Sequence, residues 1–315
     1  MKNKKSIMAF SALQILVFHM WVNITGSPVE MFLRQTAYIG VDIFFFVSGY
    51  SLSKREIGNY WVFVGHRFKM VYIKYAVFAV AAAVYMGWKP VRLLKVVTSV
   101  ELFTKGGGAF LWFLPAIMIF YILFPLFLKC YDRKPLITIM CLLVIWLIIG
   151  TTVTSFTSYR EMFIFYNRIP VFIVGFLMAR YGHEFSSAAK LLLGIMLTAV
   201  GAYIMYGCAF RYKLQVPVRE AFYVCVIPAV LGIVALVSFI PETRVIKWIG
   251  ASTLEMYAIQ MIFGFNIAGK ILKMTGNSII TNILVLIIIT AIAVALRMLE
   301  DLVKRVYERR RKTAD

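Results

Sequence analysis

YIGVDIFFFVSGY, residues 38–50, is an apolar and aromatic stretch interrupted by a single ionisable side chain, Asp42. Extended to residues 35–53 it approaches the ~20 apolar residues that a membrane-spanning helix requires. No polar face recurs along it, so lipid or protein must surround it on all sides. A carboxylate in such a setting is costly and therefore a functional candidate.

The rest of the chain repeats this pattern. Apolar residues make up 62% of the sequence and charged residues 15%; the mean hydropathy is +0.83. A soluble domain is closer to half apolar and needs a larger polar shell. Apolar runs fall near 6–24, 35–53, 70–88, 110–129, 134–152, 163–180, 189–207, 221–240, 252–269 and 278–298. They predict an all-α integral membrane protein, a bundle of about ten transmembrane helices. Residues 1–303 form a single transmembrane domain on this reading, and 304–315 a basic cytoplasmic tail. Residues 151–158 are Thr/Ser-rich and read as a loop or a helix end. The run at 252–269 carries Glu255, Gln260 and Asn266 and should face the protein interior.

The net charge of +20 lies in short clusters between apolar runs. That pattern suits loops beside anionic membrane lipids rather than a nucleic-acid surface. Placed on alternate faces, the 34 Lys and Arg residues divide 22 inside to 12 outside when both termini are cytoplasmic. The bias predicts an N-in, C-in, multi-pass protein of the cytoplasmic (inner) membrane. The four cysteines are far apart and read as small residues of membrane helices, and no metal is expected. The first apolar run lacks a small-residue cleavage signature and reads as a retained span.

Three polar groups should share one depth near the outer face: His19 on the first span, Asp42 on the second and Arg168 on the sixth. A carboxylate beside an imidazole fixes its tautomer and supports general-base chemistry; His–Asp or Asp–Arg pairing could equally just lock helices together. Tyr166, Asn167 and Arg168 are positioned to stabilise an oxyanion or hold an acceptor. At the inner end Lys54, Arg55, His66, Arg67, Lys69 and Lys74 face only Glu56 and would grip phosphates. A ligand with a phosphate-rich head and a long reactive arm, such as coenzyme A, could touch both levels. The outer loop holding Lys89, Arg92, Lys95 and Lys105 against Glu101, with a break at Gly106-Gly107-Gly108, would attract an anionic acceptor or form a short amphipathic helix on the headgroups.

These segments resemble the acyltransferase type 3 family of membrane O-acyltransferases. The resemblance rests on the first-helix His19, on YIGVDIFFFVSGY and on the basic FVGHRFKMVYIKY at 63–75. LWFLPAIMIFYILFPLF, RIPVFIVGFLMA and GASTLEMYAIQ continue it in order. The sequence departs from the family pattern at Met8, where many members have Arg, and at Gln260, where His is frequent.

The resemblance implies transfer of an acyl group, commonly acetyl, from cytoplasmic acyl-CoA to a hydroxyl of an extracytoplasmic glycan or related small acceptor. It further implies that His19 is catalytic, that Asp42 is the second-helix acid, and that Arg67 is the basic residue after the second span. Lys54, Arg55, Lys69 and Trp112 join Arg67 as expected donor-binding residues, and Gln260 joins Arg168 on the acceptor side. Direct attack by the acceptor and an acyl-histidine intermediate both fit these residues. A proton-coupled transporter or flippase, and a membrane sensor without turnover, are the alternatives, although no inverted repeat supports the transporter.

Overall fold

In the computed structural model the described residues are 1–19, 21–22, 33, 36–55, 57–105, 108–155, 163–207 and 224–312. All their regular elements are helices. The chain divides into two compact units, Met1–Gly40 with Ile233–Asp315, and Val41–Gly232.

The second unit contains α2 (Ile39–Ser53, whose first two residues belong to the first unit), α3 (Tyr60–Met86), the short α4 (Pro90–Val97) and α5 (Val100–Lys105), α6 (Phe113–Arg133) and α7 (Pro135–Ser155). It continues through α8 (Phe163–Tyr166), α9 (Ile169–Tyr181), α10 (Ser187–Tyr206) and the start of α11 (Ile227–Val237). The first unit contains α1 (Lys4–Phe18), the end of α11, α12 (Arg244–Ala251), α13 (Thr253–Thr275) and α14 (Ser278–Lys312). Among the described residues four helices are long and apolar enough to cross a membrane: α3, α6, α10 and α14. Helices α2, α7, α9 and α11 are shorter and apolar.

Local chemistry explains where several helices depart from the expected spans. Helix α3 begins ten residues before the apolar run because Asn59 caps it, its Oδ1 accepting from Trp61 N–H at 2.9 Å and Val62 N–H at 3.2 Å. The basic residues His66, Arg67 and Lys69 are therefore helical. Gly87, at φ 63°, closes the same helix in a left-handed conformation that costs glycine little. Helix α1 is shorter than expected and ends at Phe18, with His19 as its C-cap. The run at 163–180 is broken at Asn167 and Arg168 before Pro170, which starts α9. Helix α7 continues to Ser155; residues 156–158, the Gly106-Gly107 break, Glu56 and Cys208 lie outside the described residues. Cys130 and Cys141 are exposed on the outer faces of α6 and α7. Glu255 and Gln260 are buried in α13, as expected, whereas Asn266 is exposed.

An aromatic column forms the core of the second unit. Phe113, Phe120, Phe124, Phe127 and Tyr131 recur at helical spacing along α6. They meet Phe45 of α2 and Phe172 and Phe176 of α9, with ring centroids 4.9–6.2 Å apart. The basic loop at residues 89–105 is built around Glu101, 2% exposed. Lys105 Nζ at 2.7 Å, Arg92 Nε at 3.3 Å and the Phe110 N–H at 3.0 Å converge on its carboxylate. Burial pushes this carboxyl up, but the Lys105 and Phe110 hydrogen bonds and the two nearby cations outweigh it and hold Glu101 below the usual glutamate range. Two of the loop's cations are thus neutralised internally. Tyr75 and Tyr72 donate to the Val96 and Val97 carbonyls at 2.7 and 3.0 Å, tying the end of α4 to α3.

Helices α2 and α9 approach each other closely enough for backbone contact. A Cβ on Gly49 would collide with the Phe172 carbonyl oxygen, and one on Gly175 with the Phe46 carbonyl oxygen. Small residues allow such backbone contact in membrane helices. Gly175→Ala should therefore force the pair apart and cost about 1–3 kcal/mol, read as a lowered unfolding midpoint in detergent. The same change at Gly269, inside α13 where nothing lies near an added Cβ, should not lower the midpoint, because Ala is the better helix former.

Candidate functional site

The glycine contacts set the register of the charged groups. Asp42, Phe46 and Gly49 on α2 have the same spacing as Arg168, Phe172 and Gly175 at the start of α9. With Gly49 against Phe172 and Gly175 against Phe46, parallel helices bring position 42 opposite position 168. Arg168 Nε lies 3.2 Å from Asp42 Oδ1, with side chains 3% and 1% exposed. The Arg168 guanidinium also lies over the Trp112 ring, 5.8 Å from its centroid. Trp112, expected among the donor-binding residues, thus belongs to the Arg168 environment. Asn167 is 1% exposed, and neither amide atom makes a hydrogen bond among the described residues. Buried amides usually find partners, so this one is suited to an incoming polar group. Tyr166 packs in a cluster with Trp146, Phe165 and Ile169.

The basic group at residues 54–69 divides into a half-buried member, Arg67, and exposed ones. Arg67 lies over the rings of Tyr121 and Phe63, 5.1 and 5.6 Å from their centroids, and its Nε is buried without a hydrogen bond among the described residues. The Tyr121 and Ser48 hydroxyls share a hydrogen bond, and the charge of Arg55 acts on both Arg67 and Tyr121. Lys54 sits over the Tyr50 ring at 5.0 Å. Lys69 and His66 are exposed. None of Lys54, Arg55, Arg67 or Lys69 is ion-paired to a carboxylate among the described residues, so an anion there would meet uncompensated positive charge.

In the first unit, the chain beyond His19 is held by a residue that sequence reading did not single out. Asn282 of α14 accepts from the N–H groups of Trp21 and Val22, both at 3.2 Å, and donates to the Val22 carbonyl at 2.7 Å. Gly264 of α13 leaves room for the Trp21 indole, which a Cβ would strike. His19 is partly exposed, its ring edge-to-face with Phe18 at 4.9 Å. Gln260 is 1% exposed, and both its amide atoms lack a hydrogen bond among the described residues. Nothing in hydropathy marks Asn282; the only signal was an amide inside an apolar run.

Removing one member of the buried ion pair strands the other. Arg168→Leu alone should destabilise the protein by about 3–5 kcal/mol. Adding Asp42→Leu should recover part of that loss, so the double variant costs less than the sum of the singles in thermal unfolding.

No curated protein and no solved structure matches the chain. A family model described as an acyltransferase domain matches residues 7–299, a range that takes in His19, Asp42, Arg67, Arg168 and Gln260. A match over nearly the whole length, on an all-helical chain with apolar helices long enough to cross a bilayer, settles the family: this chain belongs to the acyltransferase type 3 family of membrane proteins.

Proposed function

We propose that the protein is a ten-span, N-in/C-in enzyme of the cytoplasmic membrane that moves an acetyl group from cytoplasmic acetyl-CoA to a hydroxyl of an extracytoplasmic glycan or related cell-surface acceptor. The single observation that carries the donor assignment is the Arg67 cluster. A half-buried guanidinium without a carboxylate among the described residues, near a second arginine, favours a multiply charged anion. The phosphates of coenzyme A are such an anion. Lys54, Arg55 and Lys69 add charge around it.

His19 is the proposed base. It takes the proton of the acceptor hydroxyl, and the oxygen attacks the thioester carbonyl. The carbon–sulfur bond then breaks, coenzyme A leaves as a thiolate that is reprotonated, and the acceptor keeps the acyl group as an ester. Charge develops on the carbonyl oxygen as the attack proceeds. Asp42 is ion-paired with Arg168, and Arg168 with Asn167 supplies the donors proposed to stabilise that oxygen or to position the acceptor. Gln260, a buried amide, is proposed as an acceptor-binding group; unlike the His frequent at this position, it hydrogen-bonds without titrating.

Two measurements test this reading. With acetyl-CoA and a cell-envelope glycan fraction, His19→Ala should lower thiol release by at least about 10²-fold; release equal to wild type would remove His19 from the chemistry. Arg67→Glu should weaken coenzyme A binding about tenfold or more, the loss expected for a hydrogen-bonded charge. Unchanged affinity would place the phosphates elsewhere.

A further inference from the structure

A cavity in the first unit lies outside everything assigned above. It has a volume of about 540 Å³ and opens between α12 and the distal part of α14, lined by Arg244, Trp248, Val294, Met298, Leu302 and Arg305 among others. Two rows at helical spacing form its α14 wall. Val294, Met298 and Leu302 make an apolar row, with Met298 and Leu302 49% and 57% exposed. Arg297, Asp301 and Arg305 make a charged row beside it.

The charges are not equivalent. Arg297 is engaged by three carboxylates, Asp301 at 3.3 Å, Glu300 at 3.7 Å and buried Glu255 at 3.8 Å. Arg244 lies over the Trp248 ring, 4.8 Å from its centroid. Neither Arg244 nor Arg305 is ion-paired to a carboxylate among the described residues. The cavity thus combines two available guanidinium groups, an indole and an exposed apolar row.

Its position along α14 identifies the environment. From Ser278 to Leu296 the helix carries no ionisable residue, and Arg297 is the first. Nineteen residues rise ~28 Å, close to the ~30 Å thickness of bilayer hydrocarbon. The helix extends further, to Lys312. Of the apolar row only Val294 therefore lies in the acyl layer, and Met298, Leu302 and the two arginines follow it into the headgroup layer, where tryptophan is also favoured.

We propose that this cavity is a binding site for an anionic phospholipid, its phosphate held between Arg244 and Arg305, its glycerol region against Leu302 and Met298, and its acyl chain entering the bilayer at Val294. The site does not depend on the acyltransfer reading, and its test uses binding alone. The full-length protein is reconstituted in phosphatidylcholine nanodiscs containing a minority of acyl-brominated phosphatidylglycerol or acyl-brominated phosphatidylcholine. Subtracting the fluorescence of Trp248→Phe isolates the Trp248 signal. Brominated phosphatidylglycerol should quench that signal with roughly tenfold higher apparent affinity. The double variant Arg244→Gln/Arg305→Gln should lose the preference, and Arg244→Lys/Arg305→Lys, equally folded by thermal unfolding, should retain most of it. Equal quenching by the two lipids, or a preference that survives the glutamine variant, would overturn the proposal. Displacement of the brominated lipid by free coenzyme A would also overturn it and assign the cavity to a nucleotide.

Discussion

The backbone contact between α2 and α9 governs the second unit. Two glycines let the helices touch, and their equal spacing from Asp42 and Arg168 puts two opposite charges face to face. Lipid offers no solvation to either charge, so the pair can persist only if packing holds it closed. The aromatic column from α6 provides that packing, with Phe120 and Phe124 meeting Phe172, and Phe45 meeting Phe113 and Phe120. Charge complementarity alone would leave this geometry loose. Glycine contact alone would have no reason to place a carboxylate there.

The two basic regions show why charge counting is an incomplete guide. In the loop at residues 89–105, Lys105 and Arg92 are bound to Glu101, and their charge organises α4 and α5. At the basic group of residues 54–69, Arg67 is packed against aromatic rings instead of against a carboxylate. Identical residue types thus serve a local fold in one place and leave uncompensated charge in the other. The difference depends on partners that only tertiary structure supplies.

Much of the fold was legible because apolar runs are long and lipid enforces helices. The meeting of Asp42 and Arg168 was also legible, since both were read as lying near the start of outward-opening spans. Helix boundaries were less so. Hydropathy cannot see the Asn59 cap that starts α3 among charged residues, nor the end of α1 at Phe18. Asn282 was invisible because its role depends on chain placed some 260 positions earlier. Asn266 was misjudged because a helix carrying two buried polar groups still turns its other side outward. Trp112, expected beside the donor, has Arg168 and Phe113 as neighbours, contacts that hydropathy does not encode.

The early termination of α1 bears on bilayer thickness. Its 15 residues rise ~22 Å, whereas the hydrocarbon layer is ~30 Å deep. A helix of that length anchored at one face stops ~8 Å short of the other. Backbone that leaves a helix at membrane depth must find its hydrogen bonds in protein or trapped water. Asn282 provides them for Trp21 and Val22. On the N-in reading, His19 would then stand within the outer leaflet, at the junction between a helix and backbone that the protein itself satisfies.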